Sequence, residues 1–239
     1  MMALALEASS ATESAALLDG ERLLASRRWA GDRAHARFFF DAIRGLLAET
    51  GLAPDRIEAF AVGLGPGSFT GLRMALAAAQ GMALPGGTPV FGLSSAAAAA
   101  VETALETGGS RVLVCGDARR NRVWSGLFET RPGRADRQGG WRLDPLDALP
   151  GLVAQADAVC TADWDALAAP LRAACQGGSA RLVPRALQPA AETVGRLAAA
   201  RLRLNLPSLP LTPIYLHPPV FVPPSFPPRE PVLPAQEPA

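Results

Sequence analysis

The amino-acid sequence predicts an α/β protein built in two successive halves. Short apolar runs with the length of strands alternate with longer segments of helical spacing, and this alternation restarts after the polar residues 107–110. Such alternation is typical of α/β folds. A chain of 239 residues can form one large domain or two small ones. We therefore predict a first lobe over residues 1–107, a second, smaller lobe over 108–204 and a proline-rich tail over 205–239.

In the first half, three extended runs within residues 3–30 predict an antiparallel meander, because Asp19-Gly20 between apolar runs is a hairpin signal. Residues 34–50 have helical spacing, 57–62 form an apolar strand, and a helix follows the glycine-rich turn after it. A short strand at 90–93 and an alanine-rich helix at 96–106, capped by Ser94 or Ser95, complete this half.

The second half begins with a predicted hairpin, residues 112–115 against 123–128. Further strands are predicted at 141–143, 158–161 and 181–183. Helices are predicted at 163–175 and 190–204, where Asp163 and Pro189 are start signals.

Composition excludes several classes of protein. Hydrophobic residues make up 49% and charged residues 19%, and the net charge of +1 gives no overall field for nucleic acid or membrane. The three cysteines lie too far apart for a disulfide framework or a zinc pattern. No apolar run approaches the roughly 20 residues needed to span a bilayer, and the N-terminus lacks a basic leader. We expect a cytoplasmic protein without a membrane partner.

The stretch over residues 63–81 reads GLGPGSFTGLRMALAAAQG and contains a tight turn. Its glycines allow backbone conformations closed to residues with a Cβ, and its proline fixes one dihedral angle. Ser68 or Thr70 can cap the first free amides of the helix that follows. The turn residues that we single out are Gly63, Gly65, Pro66, Gly67, Ser68, Phe69, Thr70 and Gly71.

Two chemistries and a structural role are possible for this turn. Free amides at a helix start attract anions, but a P-loop needs lysine after Gly71 and the chain contains none, while the dinucleotide pattern needs glycine where Thr70 stands. Ser68 could be an exposed nucleophile, but the hydrolase elbow needs glycine two residues before and after it. The residue chemistry favours a structural turn with a capped helix.

Glu7 ends the first strand, where a carboxylate could orient a metal-bound nucleotide or cap the turn that follows. With no partner visible in the sequence, we favour the cap. His35 and His217 are the two histidines of the chain and share no motif, so they predict no metal site.

Two helices are predicted to be apolar on more than one side. In the helix over residues 34–50, Phe38 and Phe40 widen the apolar arc beyond what one sheet face needs. In the helix after the turn, small residues recur every four positions and allow another helix to approach closely. These faces are either buried in one domain or bind a partner. The candidate partner-binding residues are His35, Phe39, Ile43, Leu46, Arg73, Ala75, Ala79 and Met82.

Two basic loops and the proline-rich tail are further candidate binding regions. Asp117 lies beside Arg119–Arg122, where an Asx-turn with solvated arginines is favoured. A second basic loop at Arg131–Arg137 lacks interleaved aromatic residues and indicates RNA binding only weakly. Residues 205–239 contain 12 of the 22 prolines, which predicts a polyproline-like or disordered tail with a docked piece at 211–216. The tail is either inert or a ligand for an aromatic groove.

The glycine-rich stretch resembles the signature of the TsaB family, whose members belong to the glycoprotease-like proteins of the ASKHA superfamily and serve as dimerisation subunits in threonylcarbamoylation of adenosine 37 in tRNA (t6A formation). The likeness covers about residues 2–217 and is strongest over 57–95. The matching places are Glu7-Ala8-Ser9, His35, Gly63–Arg73, Gly92-Leu93-Ser94, Asp117-Ala118-Arg119 and Tyr215-Leu216-His217. Glu7, Ala8 and His217 replace the Asp, Thr and Arg that are usual in the family.

This resemblance implies an actin/Hsp70-like (ASKHA) fold of two lobes, each a mixed sheet with helices. It also implies a non-catalytic scaffold subunit that forms a heterodimer with a TsaD-type paralogue through first-lobe helices, with a TsaE-type ATPase in the wider complex. ATP and metal are expected on the partner subunit, tRNA is expected mainly through the complex, and a homodimer is possible when the chain is alone. The alternative is a glycoprotease-like peptidase or an ATPase that uses the Gly65–Arg73 turn.

Overall fold

The first sheet contains an antiparallel meander followed by parallel strands. The computed structural model describes residues 1–31 and 35–216, except for the side chains of 35–37. The strands are β1 (Met2–Glu7), β2 (Thr12–Asp19), β3 (Arg22–Ala30), β4 (Ala59–Gly63) and β5 (Val90–Leu93). Their order is β3-β2-β1-β4-β5, with β4 parallel to β1 and β5 parallel to β4. The predicted meander is confirmed.

The second sheet repeats this topology. Its strands are β6 (Arg111–Asp117), β7 (Arg122–Arg131), β8 (Arg134–Pro145), β9 (Ala158–Thr161) and β10 (Arg181–Ala186). Their order is β8-β7-β6-β9-β10, and β6 is antiparallel to β7 and parallel to β9, as β1 is to β2 and β4. Two mixed sheets of one topology confirm the predicted two-lobe α/β architecture.

Helices cover both faces of both sheets. The described residues form α1 (His35–Thr50), α2 (Phe69–Ala83), α3 (Ser95–Thr107), α4 (Leu149–Val153), α5 (Trp164–Cys175) and α6 (Ala191–Arg203). Helices α1 and α2 pack on the outer face of the first sheet, and α4 and α5 on the outer face of the second. Between the sheets, α6 lies against the first and α3 against the second. The division of the chain at residue 108 stays a prediction.

Burial on both faces explains the composition of the strands and of α3. In β1, Leu4 and Leu6 pack in the outer core beside Phe39, whereas Ala5 packs in the core between the sheets. Side chains alternate between the faces of a strand, so a strand covered on both sides is apolar throughout. The five alanines at 96–100 are all buried, because α3 packs against the second sheet on one side and α6 on the other. Small side chains allow this close packing.

Two sequence-based assignments need correction. The predicted second basic loop at Arg131–Arg137 is wrong, because these arginines lie on β7 and β8 on either side of a tight turn at Pro132-Gly133. Gly133 has a φ of 68°, which suits it to the turn. Helix α4 was not predicted, because Pro150 and Gly151 are normally breakers. Proline is tolerated in the first turn of a helix, where its missing N–H has no partner to lose.

The predicted docked piece of the tail is confirmed within the described residues. The N–H of Leu209 donates to the carbonyl of Gly92 at 3.1 Å, and the N–H of Ile214 donates to the carbonyl of Leu64 at 2.8 Å. Leu211 packs against the outer core. The remainder of the proline-rich tail, residues 217–239, lies outside the described residues. Among the helices of the described ranges, none combines the length and the apolar character needed to cross a membrane.

Candidate functional site

The glycine-rich turn connects β4 to α2. Gly65 has a φ of 90°, a conformation that glycine adopts without strain, and its peptide bond to Pro66 is cis. Ser68 is the N-cap of α2, and its hydroxyl accepts a hydrogen bond from the N–H of Gly71 at 3.2 Å. The predicted strand, turn and capped helix are confirmed.

Several backbone amides of this turn are bonded to acceptors within the chain. The N–H of Gly65 donates to the hydroxyl of Ser95 at 2.9 Å. The N–H of Ser68 donates to the carbonyl of Ser9 at 2.7 Å. The N–H of Leu72 closes the first helical turn on the carbonyl of Ser68 at 3.0 Å. A phosphate held by these particular amides would have to displace their acceptors, because an anion site needs amides that point at the ligand.

The glycines let the end of β1 lie directly against the turn. A Cβ built on Gly67 would lie 2.0 Å from the carbonyl oxygen of Ser9, and one on Gly71 would lie 2.0 Å from that of Ala8. Real Cβ atoms do not approach an oxygen so closely, so at both positions a larger residue would force the backbones apart. The turn signature therefore encodes a backbone-to-backbone contact between the residues just after β1 and the start of α2.

Glu7 is completely buried at the end of β1. Its Oε1 accepts a hydrogen bond from the N–H of Ser9 at 2.7 Å, which is the turn cap favoured by the sequence. Its Oε2 has no hydrogen-bond partner and lies over Gly63, where a Cβ would come within 1.9 Å of it. Burial raises the pKa of the carboxyl, while the hydrogen bond from the N–H of Ser9 partly offsets this effect. In the described parts of the chain, no three His, Cys, Asp or Glu side chains form a group that could hold a metal ion.

Most of the predicted partner-binding residues lie in the core of the chain itself. Arg73 is exposed, with its guanidinium 4.7 Å from the centre of the Phe69 ring, and Met82 is half-buried. The side chain of His35 is not among the described side chains. Five residues are buried in the outer core, and a partner cannot touch them while the chain stays folded: Phe39, Ile43, Leu46, Ala75 and Ala79. Partner binding through these two helices stays a prediction, and it would have to use their exposed side chains.

Exposed apolar residues are found on the same two helices. Phe38 and Phe40, on either side of the buried stripe of α1, are each about half exposed. On α2, Ala77 is exposed, and Leu84 directly after the helix is 81% exposed. The sequence pattern identified the two phenylalanines but not Leu84, because an apolar residue at a helix end resembles one more member of the buried stripe.

A cleft of about 960 Å³ lies between the two lobes. One wall contains Ser9, the glycine turn and the ring of Phe69. The opposite wall contains Asp117, Trp124 and Asp163, and the chain segment 214–216 lines the rim. The structure thus brings the glycine turn and the Asp117-Ala118-Arg119 turn to one cleft. The sequence did not predict Trp124 or Tyr215 at this site, since isolated aromatic residues carry no spacing signal.

The turn at Asp117 is the predicted Asx-turn. Its Oδ1 accepts a hydrogen bond from the N–H of Arg119 at 2.8 Å, and its Oδ2 lies 3.1 Å from the Arg119 guanidinium. Arg119, Arg120 and Asn121 all have positive φ angles, which is costly for residues with a Cβ. The N–H of Asp117 donates to Oδ2 of Asp163 at 2.8 Å and so ties this turn to the start of α5.

The cysteines provide no reactive group in this region. Cys115 and Cys160 are free and buried, and burial raises the pKa of both thiols, that of Cys160 to about 12. A thiol with a raised pKa is a poor nucleophile, because the thiolate is the reactive form.

Comparison with known proteins places the chain in a family. A family model described as TsaD, tRNA N6-adenosine threonylcarbamoyltransferase, matches residues 29–163. Over 117 residues, the chain is 32% identical to the tRNA threonylcarbamoyladenosine biosynthesis protein TsaB of Escherichia coli K12, covering 49% of this chain and 48% of that protein. It is 35% identical over 134 residues to the protein of the same name from Haemophilus influenzae, covering 56% of each. These matches span about half the length of the curated relatives.

A solved structure extends the similarity to nearly the whole chain. A Pseudomonas aeruginosa protein, described as uncharacterized with similarity to peptidase YEAZ, is 31% identical, has a TM-score of 0.76 and is aligned over 90% of this chain and 99% of that chain. The chain belongs to the TsaB family. The fold of the chain is also similar to that of Lmo2764, a putative N-acetylmannosamine kinase from Listeria monocytogenes, at a TM-score of 0.53 and 10% identity. This last similarity concerns the fold alone.

Proposed function

We propose that this chain is a non-catalytic subunit that pairs with a TsaD-type transferase in the threonylcarbamoylation of adenosine 37 of tRNA. Membership of the TsaB family supports a role in this modification. In this proposal, the partner subunit holds ATP and metal, a TsaE-type ATPase joins the wider complex, and tRNA is bound mainly by the assembly. The reaction takes place in the cytoplasm.

The hydrogen bonding of the glycine turn supports a structural rather than a catalytic role. The amides of Gly65 and Ser68 are bonded to Ser95 and Ser9, and the Ser68 hydroxyl accepts from the N–H of Gly71. A phosphate cradle would present these amides to its ligand. A nucleophilic serine would have a base within hydrogen-bond reach instead of serving as a helix cap. The observed arrangement therefore favours a scaffold over the ATPase and peptidase alternatives.

The partner surface in this proposal consists of the outward side chains of α1 and α2. Phe38, Phe40, Ala77 and Leu84 expose apolar surface on one side of the first lobe. Single exposed apolar residues are common on protein surfaces, but several on neighbouring helices are consistent with a binding face for another helix. Arg73, which is exposed on the same helix as Ala77, supplies a charge at the edge of this face.

Formation of threonylcarbamoyladenosine tests the function directly. The chain and a TsaD-type partner are supplied separately and together with tRNA, ATP and the activated threonylcarbamoyl donor, and the product is measured by mass spectrometry. We expect product from the combination and none from this chain alone. Product from this chain alone would contradict the scaffold role, and no gain from adding it to the partner would contradict the proposed pathway.

The partner surface can be tested with two matched variants. Leu84→Glu and Leu105→Glu each place a charge at a leucine that is already about 80% exposed, one at the end of α2 and one on α3. We expect Leu84→Glu to weaken heterodimer formation at least tenfold, because a charge is then desolvated in an apolar contact. Leu105→Glu should leave it unchanged. Equal affinity of both variants by light scattering or calorimetry would move the interface away from α2.

A further inference from the structure

A groove between α6 and the β7–β8 hairpin differs in charge from the cleft between the lobes. It encloses about 540 Å³, and its charged lining residues are three arginines and one aspartate: Arg134, Asp136, Arg137 and Arg201. Asp136 pairs with Arg134, which leaves two positive charges in the groove. The cleft, in contrast, is lined by two aspartates and one arginine. The charge of the groove therefore favours an anion, whereas that of the cleft does not.

Arg137 and Arg201 carry these two positive charges. The guanidinium of Arg137 donates to the carbonyl of Gly139 at 2.8 Å, and that of Arg201 donates twice to the carbonyl of Pro207, at 2.8 and 3.1 Å. A carbonyl orients a guanidinium without neutralising it, and most of the five N–H donors of each arginine are left for other acceptors. In the described parts of the chain, neither arginine forms an ion pair with a carboxylate. Desolvation lowers the pKa of Arg137, as expected for a guanidinium without an anionic partner.

The rest of the groove is largely apolar, with two aromatic side chains. Phe128 and Leu197 belong to the core between the sheets, and Trp141 packs against this core. The ring centres of Phe128 and Trp141 lie 6.0 Å apart, and the Arg137 guanidinium lies 4.8 Å from the centre of the Trp141 ring. The groove thus presents an aromatic surface beside a cation. Mainly apolar pockets of about 300–1,000 Å³ with a few polar groups are typical of small-molecule sites.

Contacts within the chain hold the walls of this groove in place. At the turn of the hairpin, a Cβ built on Gly133 would lie 3.1 Å from the Cβ of Ala200, so the turn lies close against α6. Another wall consists of residues 209–216, in which the N–H groups of Leu209 and Ile214 donate to carbonyls in β5 and just after β4. A site with fixed walls loses less conformational entropy when it binds a ligand than a mobile one does.

We propose that this groove binds a small organic anion in which a carboxylate or a phosphate is attached to a flat, apolar body. The anionic group would contact Arg137 and Arg201, because the guanidinium fork matches the oxygens of carboxylates and phosphates. The apolar body would pack on Phe128 and Trp141, since aromatic rings favour flat partners. None of the described lining residues belongs to α1 or α2. Binding here can therefore fail without affecting the proposed pairing, and the reverse also holds.

Calorimetric titration of the full-length chain with three naphthalene compounds tests the proposal. Naphthoate and naphthyl phosphate carry an anionic group, whereas naphthamide has the same apolar body without a charge. We expect each anion to bind in a ratio of one per chain and roughly tenfold more tightly than naphthamide, because hydrogen bonds to charged groups are the stronger ones. The anion that binds more tightly identifies the group that the groove prefers, and a preference for either one supports the proposal.

Two matched arginine variants locate the bound anion. Arg137→Gln removes a groove charge and should weaken naphthoate binding roughly tenfold. Arg172→Gln is the control, because Arg172 also lies over a tryptophan, 5.3 Å from the centre of the Trp164 ring, but does not line the groove. It should leave the affinity unchanged. Both arginines are exposed, so both variants should fold.

Fluorine NMR provides a second measurement of the position. Labelling the full-length chain with 5-fluorotryptophan gives one signal for each of the four tryptophans, and Trp141→Phe and Trp164→Phe assign the two signals of interest. Naphthoate should shift the Trp141 signal, because this ring lines the groove. The Trp164 signal, from α5, should stay unchanged.

Three outcomes would overturn the proposal. Naphthamide could bind as tightly as naphthoate, which would mean that the groove recognises apolar surface alone. Arg137→Gln and Arg172→Gln could weaken binding equally, or naphthoate could shift the Trp164 signal and not that of Trp141, which would place the anion outside the groove. Neither anion could bind at all, which would show that the two arginines do not form a binding site.

Discussion

The two lobes share one sheet topology, but the end of the first strand contacts a helix N-terminus in opposite ways. The contact is between β1 and α2 in the first lobe and between β6 and α5 in the second. In the first lobe, the N-cap of α2, Ser68, donates its backbone N–H to the carbonyl of Ser9, just after β1. In the second lobe, the direction is reversed: Asp117, the last residue of β6, donates its N–H to the side chain of Asp163, the N-cap of α5. The same topological contact is thus made by backbone alone in one lobe and through a carboxylate in the other.

The difference between the two contacts determines which residues each lobe can accept at the junction. Two backbones in direct contact leave no room for a Cβ, so the first lobe needs glycine at 67 and 71. A carboxylate spans the gap in the second lobe, and ordinary residues suffice around it. Ser68 keeps its hydroxyl for capping its own helix, whereas the Asp163 side chain makes no cap in α5. The first junction should therefore be the less tolerant of substitution.

The largest expected effect comes from placing a side-chain atom in the backbone contact of the first lobe. Gly71→Ala places a Cβ 2.0 Å from the carbonyl oxygen of Ala8, and we expect it to lower the free energy of unfolding by about 3 kcal/mol. Gly81→Ala makes the same change in the same helix where no atom lies within 4 Å, and it should raise stability by about 0.5–1 kcal/mol. Urea denaturation of both variants measures the difference. If Gly71→Ala were as stable as the parent chain or more so, the residues just after β1 would not pack tightly against α2.

The next effect concerns Glu7, whose pKa is raised by burial above the usual value of 4.5. The folded chain then binds this proton more tightly than the unfolded chain, so its contribution to stability is fully present below pH 4.5 and is lost as the pH rises through the folded pKa. Glu7→Gln preserves the shape and does not titrate. Relative to this variant, the parent chain should lose stability as the pH is raised above 4.5. Parallel stability curves from pH 4 to 8 would contradict a buried carboxyl that titrates.

The contrast between the junctions explains how much the sequence could predict. The glycine turn was recognisable because a backbone contact needs several residues of one type at fixed spacing. The alternation of strands and helices in the second lobe followed from sequence patterns. The bridge from Asp117 to Asp163 did not, because one aspartate at a helix start resembles an ordinary cap. The inward and outward sides of α1 and α2 were also only partly separable. Both sides are apolar, and only the packing on the sheet shows that Ala75 is buried while Ala77 is exposed.

The smallest expected effect comes from the carboxylate bridge of the second lobe. Asp163→Ala removes the acceptor of the Asp117 N–H, a contact open to solvent, and should cost about 1 kcal/mol. Asp165→Ala is the matched control, because it also removes a carboxylate from the first turn of α5, where negative charge stabilises the helix. The difference between the two variants isolates the bridge from this helix effect. If the two variants lower the free energy of unfolding equally in urea denaturation, the Asp163 carboxylate does not stabilise this junction. The junction of the second lobe would then be held by packing, whereas that of the first lobe is held by a backbone contact.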